Sequence, residues 1–586
     1  MSLEFIWINK FKCFQGNPFG FNLTGRFIIS FDGKNLKIEE NDNYLSHPQY
    51  LFGCDSPVTD CSILVGGNGS GKTSIFSLIF NAFINGSIDG NDTKYLILFL
   101  DKNKKWLCKT NVEINVENNP IQIINNSFSI SNRIASIYYS PLFSTEHPLN
   151  EVLNNDTQFD ISTTRLLCDD IKEFDNEAFS TTCKNSQVTG HKRIDTKRII
   201  TFLYKCEKDD CFQPIKECLK DFYPKSIIIQ PREPSDFFKA EYKDLKTKNN
   251  QITNLLDFFK SSVRSLHEKI CASLLIEFIT AHYKPDNGND FGFSKKTSAR
   301  IDELIKSKKN FTSAVSHFFN ALAKDIKDLG FSDNSFNIKA IISFINYTQN
   351  ICREYDNNCY LIFKGDKLGS LLEIYHKYTE TQPIKDYLEL FLAPHISSGE
   401  YCQLSLFSRL YCLFSEQAAK LEKMDIILCL DEIETTMHPL LQKKAVYQVI
   451  DFLDKLLRNL KINAQCHIIF STHSPLLLSD FQWKNVVRLN KGEYIKNDMK
   501  TFASNIYDLY KDSFFFKDGA IGEFATRLIK KAIETKEESA ASEIVVNEIA
   551  DYVLHIMVKE NIKKTEAAKN GIMSVFKFEN LLYFKE

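Results

Sequence analysis

The stretch Gly66-Gly-Asn-Gly-Ser-Gly-Lys-Thr-Ser74, GGNGSGKTS in one-letter code, follows the apolar run Ser62-Ile63-Leu64-Val65. Apolar residues at 75, 76, 78, 79, 80 and 83 come after it, ending with Phe83 and spaced as on a buried helix. Strand, glycine-rich turn, helix is therefore the expected order, and the turn matches G-x-x-x-x-G-K-[ST] without departure. Glycines let such a loop curl until its backbone N–H groups point inward, at the positive end of the following helix, which makes a cradle for phosphate. Gly66, Asn68, Gly69, Ser70, Gly71, Lys72, Thr73 and Ser74 are the expected nucleotide-binding residues. Lys72 would reach the β- and γ-phosphates, and the Thr73 hydroxyl would ligate Mg2+.

Three further stretches supply what a nucleotide-hydrolysing site needs. Ile426-Ile-Leu-Cys-Leu430-Asp431-Glu432 is an apolar strand ending in two acids. Asp431 at its edge is placed to hold Mg2+, and Glu432 beside it to polarise an attacking water as general base. His467-Ile-Ile-Phe470-Ser471-Thr472-His473-Ser474-Pro475 is another strand, turned by its proline, and His473 at its end is expected to contact the γ-phosphate. Pro394-His-Ile-Ser397-Ser398-Gly399-Glu400 precedes a long apolar helix expected to begin around Tyr401. Ser397, Ser398, Gly399 and Glu400 offer hydroxyls and backbone donors at that helix start, a second anion-binding element; a plain serine N-cap is the simpler reading of the same residues.

Phosphate loop, Ser-Ser-Gly-Glu, Asp-Glu, then Thr-His-Ser-Pro is the order of the ATP-binding-cassette ATPases. More narrowly it resembles the SMC, recombination-repair and overcoming-lysogenisation-defect ATPases, with Ile396 where that signature has leucine. Asp431-Glu432-Ile433-Glu434-Thr-Thr-Met-His438-Pro439 resembles the family's D-E-x-E-x-x-x-H-P. The resemblance covers roughly residues 1–140 and 390–500. It implies an α/β head built from both ends of the chain, ATP and Mg2+ as cofactors, and Lys72, Glu432 and His473 as catalytic residues. It also implies a homodimer, or a dimer of dimers, in which Ser398 and Gly399 of one copy complete the nucleotide site of the other. The family's glutamine loop is not assigned by the sequence: Gln230 lies far from the phosphate loop, and Ser140 lies at a more usual distance but is not glutamine.

The rest of the chain bounds the reading. With 586 residues, more than one lobe is expected, and a formal net charge of −2 removes any bulk attraction for nucleic acid. The sixteen cysteines are scattered without a C-x-x-C pair, as in a reduced cytoplasmic protein, and Cys206, Cys211 and Cys218 lack a histidine at zinc-finger spacing. No run approaches the roughly 18 apolar residues of a membrane span. The expected domains are 1–145, the first part of the head; 146–390, a mostly helical insertion; 391–500, the second part of the head; and 501–586, a mostly helical tail for partner docking. Within the insertion, 150–195 is polar and reads as loop or short helix, Ser226–Gln230 as a strand, and Leu255 to Phe278 and Ile301 to Leu329 as helical runs too short for a coiled coil.

The tail narrows the resemblance. Lys500-Thr-Phe-Ala-Ser-Asn-Ile-Tyr-Asp-Leu-Tyr-Lys-Asp-Ser-Phe-Phe-Phe516, followed by Gly519-Ala-Ile-Gly-Glu-Phe-Ala525, is similar to the TFGANIHDLL…SFFL…IGEFA block of bacterial anti-phage ATPases. That block belongs to the ATPase subunit of Septu systems, including the retron-associated form; here Ala503 and Ser504 replace Gly-Ala, a small change by type. The resemblance implies an HNH-type nuclease as partner and, in the retron form, a reverse transcriptase with its DNA–RNA hybrid. The sequence itself carries neither the acidic cluster of a Toprim nuclease after His473 nor a His-Asn-His finger. The other reading is an SMC-like DNA tether or repair ATPase, against which the lack of long heptads and the near-neutral charge both argue.

Overall fold

A seven-stranded sheet carries the fold in the computed structural model of the chain. Its order is Gln158–Asp160, Ile134–Tyr139, Asp425–Asp431, Cys466–Thr472, Val58–Gly66, Val486–Asn490 and Glu493–Tyr494. Every neighbouring pair is parallel except the last. The structure describes residues 2–81, 93–101, 104–117, 122–123, 133–144, 157–175, 186–219, 226–231, 250–282, 295–325, 338–352, 361–364, 372, 388–393, 396–496, 498–514, 522–534, 540–550 and 554–560. Strands from the first 160 residues and from residues 425–494 share one sheet, so the expected mixed α/β head is present. Its edge strand Gln158–Asp160 comes from the span expected to open the insertion.

Parallel strands covered on both faces read as continuous apolar runs, which is why the sequence shows them clearly. Successive side chains still part to opposite faces. Leu64, Ile427, Cys429, Ile469 and Val487 join one buried cluster with Phe76 and Phe80 of the helix Lys72–Asn81 and with Leu3, Ile6 and Phe99 of a second, five-stranded sheet. Phe83, expected on that helix, lies outside the described residues. On the opposite face, Ile63, Val65, Leu428 and Phe470 meet the helices Ser398–Glu416 and Pro439–Asn459, whose Phe407 and Phe452 stack with ring centroids 4.2 Å apart.

The polar span 150–195 differs from expectation. It contributes the helix Thr163–Asp175 and the start of the 23-residue helix Ser186–Lys208. Apolar periodicity missed them because their inward positions include charged groups that are paired when buried. Asp170 holds Arg198 at 2.7 Å and His191 at 2.7 Å. Asp195, fully buried, accepts from Tyr401 (2.9 Å), Ser405 (2.7 Å) and Arg409 (2.8 Å), which occupy successive turns of the helix Ser398–Glu416. Burial alone would raise the Asp195 carboxyl, but Arg409, then Arg198 and the Ser405 hydroxyl outweigh it and hold the carboxyl well below the usual range.

Each helical run of the insertion is broken in two. The first gives Asn250–Ser262 and Leu266–His282, separated where Ser265 and Glu268 exchange cap hydrogen bonds. The second gives Lys295–Ile305 and Phe311–Asp325, where the Asn310 side chain accepts from the Ser313 N–H at 2.9 Å; residues 326–329 lie outside the described residues. Ser226–Pro231 is a strand as expected, in an antiparallel three-stranded sheet with Leu361–Lys364 and Leu388–Ala393. Cys206 is buried; the side chains of Cys211 and Cys218 lie outside the described residues.

In the tail, Asn505 caps the helix Ile506–Ser513, while 515–521 lie outside the described residues. Ala503 sits at φ 55, a left-handed conformation that costs a side chain about 1–2 kcal/mol. The Gly-to-Ala difference noted from the sequence is thus a backbone matter, not a small one.

Two stability outcomes follow. Asp195→Ala strands a buried Arg409 and should cost about 3–5 kcal/mol, read from the urea midpoint, with partial recovery in Asp195→Ala/Arg409→Met. Because the folded Asp195 pKa is depressed, its contribution is present above about pH 4 and drains as pH falls below that. Ala503→Gly, at an exposed position, should raise stability by about 1 kcal/mol.

Candidate functional site

The parallel register sets three strand ends level. Asp431 pairs with Ser471, Ser471 with Leu64, and Thr472 with Val65, so Asp431, His473 and Gly66 emerge along one edge of the sheet. Gly66 closes its strand where an added Cβ would lie 2.1 Å from the Leu489 carbonyl oxygen. Gly71, at φ 106, faces the Phe14 ring, 2.4 Å from where its Cβ would be. Between them Gly67 and Gly69 face open space, and Asn68 and Gly69 are exposed. The loop is therefore closed on its protein side and open on the other, the shape that receives phosphate. The Ser70 hydroxyl is buried and has no hydrogen-bond partner among the described residues. Ser74 turns to the Cys13 Sγ at 3.5 Å.

Lys72, only 5% exposed, reaches back to the Gly66 and Gly67 carbonyls at 3.2 and 3.4 Å, to His473 Nε2 at 2.8 Å and to Glu432 at 3.9 Å. Burial pulls its ammonium below the usual lysine range, and Glu432, Asp431 and Glu434 counter that. His473 Nε2 is also 3.0 Å from Glu432 Oε1. One nitrogen cannot accept from Lys72 and donate to Glu432 at once, so the two contacts compete for it. The His473 hydrogen bond is the main reason the Glu432 carboxyl sits below the ordinary range, which keeps it ionised.

Asp431 is buried and accepts from three hydroxyls: Tyr138 at 2.8 Å, Thr73 at 3.2 Å and Ser471. Burial pushes its carboxyl above the usual range, against the pull of Ser471 and Tyr138. Thr73 Oγ1 and Asp431 Oδ2 together are hard oxygen donors beside the phosphate loop, a pair that suits Mg2+ shared with nucleotide oxygens. Glu434 anchors the turn at Thr472 and His473: one oxygen accepts from the Thr472 hydroxyl and from the His473 N–H at 2.9 Å. The Ser474 hydroxyl reaches Gln442 at 2.7 Å.

Glu432 itself sits at φ 50. A side chain in the left-handed region is strained, and such strain persists where surrounding contacts fix the backbone. Here the Glu432 N–H donates to Ser471 and its carbonyl accepts from the Thr435 hydroxyl at 2.8 Å.

The signature residues form a separate group. Ser397 caps the helix, which starts at Ser398 rather than near Tyr401, and Ser397 and Glu400 complete a capping box. Both serines are exposed, and Gly399 packs so closely on Thr436 and Met437 that a Cβ would lie 2.9 Å from each. Among the described residues no hydrogen bond or ion pair joins Ser397–Glu400 to the phosphate loop. Gln230 lies in the separate three-stranded sheet, whereas Ser140 directly follows the strand Ile134–Tyr139 beside Asp425–Asp431. Tyr138, Ser471, Glu434 and Gln442 were not singled out by sequence as site residues; the D-E-x-E pattern holds the one advance signal, for Glu434.

Residues 247–479 match a family described as AAA domain, putative AbiEii toxin, Type IV TA system. The match supports an AAA/ABC-type ATPase. It begins in the helical insertion and takes in the signature, Asp431, Glu432 and His473, while the phosphate loop lies before it. No curated protein was found to match the chain. No helix among the described residues is long and apolar enough to cross a membrane.

The strain at Glu432 is measurable apart from its chemistry. Glu432→Gly should unfold at higher urea than Glu432→Ala, by about 1 kcal/mol, although both lack the carboxylate.

Proposed function

We propose that the chain binds ATP with Mg2+ and hydrolyses it slowly, as a dimeric ABC-type ATPase that regulates a partner nuclease in anti-phage defence. The observation that carries the ATPase part is the meeting of Lys72, Thr73, Asp431, Glu432 and His473 within hydrogen-bond or ion-pair reach at one sheet edge. Lys72 would release the loop carbonyls to grip the β- and γ-phosphates, and Thr73 with Asp431 would hold the magnesium. Glu432 would take a proton from the attacking water as the bond from the γ-phosphorus to the ADP oxygen breaks. His473, freed from competition between Lys72 and Glu432, would donate to the γ-phosphate.

Dimerisation is supported by the two exposed serines at the start of the helix Ser398–Glu416, which have no hydrogen bond to the chain's own phosphate loop. They fit a role across an interface, on nucleotide held by a second copy. A nuclease partner of the Septu type, with or without a reverse transcriptase and its hybrid, rests on the likeness of residues 500–525 to that block.

Glu432→Gln should lower steady-state hydrolysis on the order of a hundredfold or more while retaining ATP. Light scattering of that variant should then report a dimer with ATP and not without it, and Ser398→Arg should abolish the ATP-dependent dimer while leaving ATP binding intact. Purification of Glu432→Gln from its native operon tests the partner. A co-purifying small nuclease supports the defence reading, and a bare dimer carrying only long DNA replaces it with an SMC-like tether.

A further inference from the structure

A groove of about 540 Å3 runs between the short helix His47–Phe52 and the helix Pro439–Asn459, with Phe481 and Phe502 at its other side. Its rim is unusually apolar for exposed surface: Tyr50 is 77% exposed, Tyr447 51% and Phe502 58%. Phe502 is held there by its neighbours. The Thr501 hydroxyl donates to the Phe481 carbonyl, the Ala503 N–H donates to Ser479 at 2.9 Å, and Ala503 bears the left-handed strain. The His47 ring meets the Phe502 ring edge-on at 4.9 Å.

One acid breaks this apolar lining. Asp480 lines the groove, and among the described residues its carboxylate has neither an ion pair nor a side-chain hydrogen bond. Burial pushes it up to about 6, and no ion pair among the described residues offsets that. His47 does not supply the missing charge, because its own burial favours the neutral ring. Lys443, also on the rim, is exposed and makes no ion pair with it. A carboxylate so placed is stabilised by an incoming cation, and the aromatic faces around it attract the same charge.

We infer that this groove docks a linear segment of a partner protein that inserts a lysine or arginine side chain, flanked by apolar residues, onto Asp480. The cation answers the unpaired carboxylate, and the apolar flanks cover Tyr50, Tyr447 and Phe502. The assignment stands whether or not that partner is a nuclease. Its location matters for the ATPase: Asp480 follows the short helix Pro475–Leu478, whose cap Ser474 adjoins His473 and is tied to Gln442 of the helix that forms one wall. A docked segment would rest on the connection that carries His473.

Random linear peptides displayed on phage and selected against the intact chain test this directly. Selected peptides should share a Lys or Arg between apolar residues. A synthetic peptide of the leading sequence should lose affinity on the order of thirtyfold on Asp480→Asn. Tyr447→Ala should weaken it as well, and selection on Asp480→Lys should return acidic peptides instead. Circular dichroism and the urea midpoint of each variant establish that it is folded. The inference is overturned if selection returns no basic-apolar pattern, or if affinity ignores Asp480→Asn. It is overturned equally if Tyr447→Arg lowers the mass of the protein in light scattering, since the groove would then belong to a second copy of this chain.

Discussion

The parallel register of three strands, Asp425–Asp431, Cys466–Thr472 and Val58–Gly66, is the constraint on which the site depends. It aligns an acid, a histidine-bearing turn and a glycine loop at one edge although they come from distant parts of the chain. A slip of one residue in any pairing would turn each side chain to the opposite face, taking Asp431 away from Tyr138, Thr73 and Ser471. The two hydrophobic clusters that sandwich the sheet make such a slip costly, so core packing and site geometry are one specification.

Within that frame the site holds its charges in mutual frustration. Asp431 is too buried to be content as an anion and is steadied by hydroxyls; Lys72 is too buried to be content as a cation and leans on carbonyls and on His473. Glu432, beside Asp431, adds backbone strain. The two buried charges would be relieved by the magnesium nucleotide proposed above, which would bring a divalent cation for the acid and phosphate oxygens for the lysine.

Most of the head was legible because its strands are buried on both faces and its chemistry sits in compact local motifs. Legibility ended where burial is achieved by pairing charges. Asp170, Arg198, Asp195 and Arg409 look like solvent-facing residues in a linear reading, yet they fasten two helices to the signature helix. Tyr138 lies in the apolar strand Ile134–Tyr139, and periodicity does not say that its hydroxyl reaches the acid of the neighbouring strand. The helical runs of the insertion were visible as apolar patterns, whereas their breaks lay in polar caps at Ser265 and Asn310. Ala503 shows a further limit, since composition alone cannot reveal that an ordinary residue occupies a conformation suited to glycine.

The sheet order also has a consequence for how the protein is made. Ser62 and its hydrogen-bonded partner His467 are 405 positions apart, and the strand Val58–Gly66 pairs on both sides with strands near the far end of the chain. At translation speeds of roughly 5–20 residues per second, the phosphate-loop strand waits about 20 to 80 seconds for either neighbour. During that interval an unpaired strand with the apolar run Ile63-Leu64-Val65 is at risk of pairing elsewhere. The antiparallel sheet built from Ser2–Ile8 and Tyr95–Leu100, together with the helix Lys72–Asn81, is synthesised early enough to shelter one face of it. The ATPase edge can form only when nearly the whole chain has left the ribosome, so a prematurely terminated product would carry the phosphate loop without the machinery to use it.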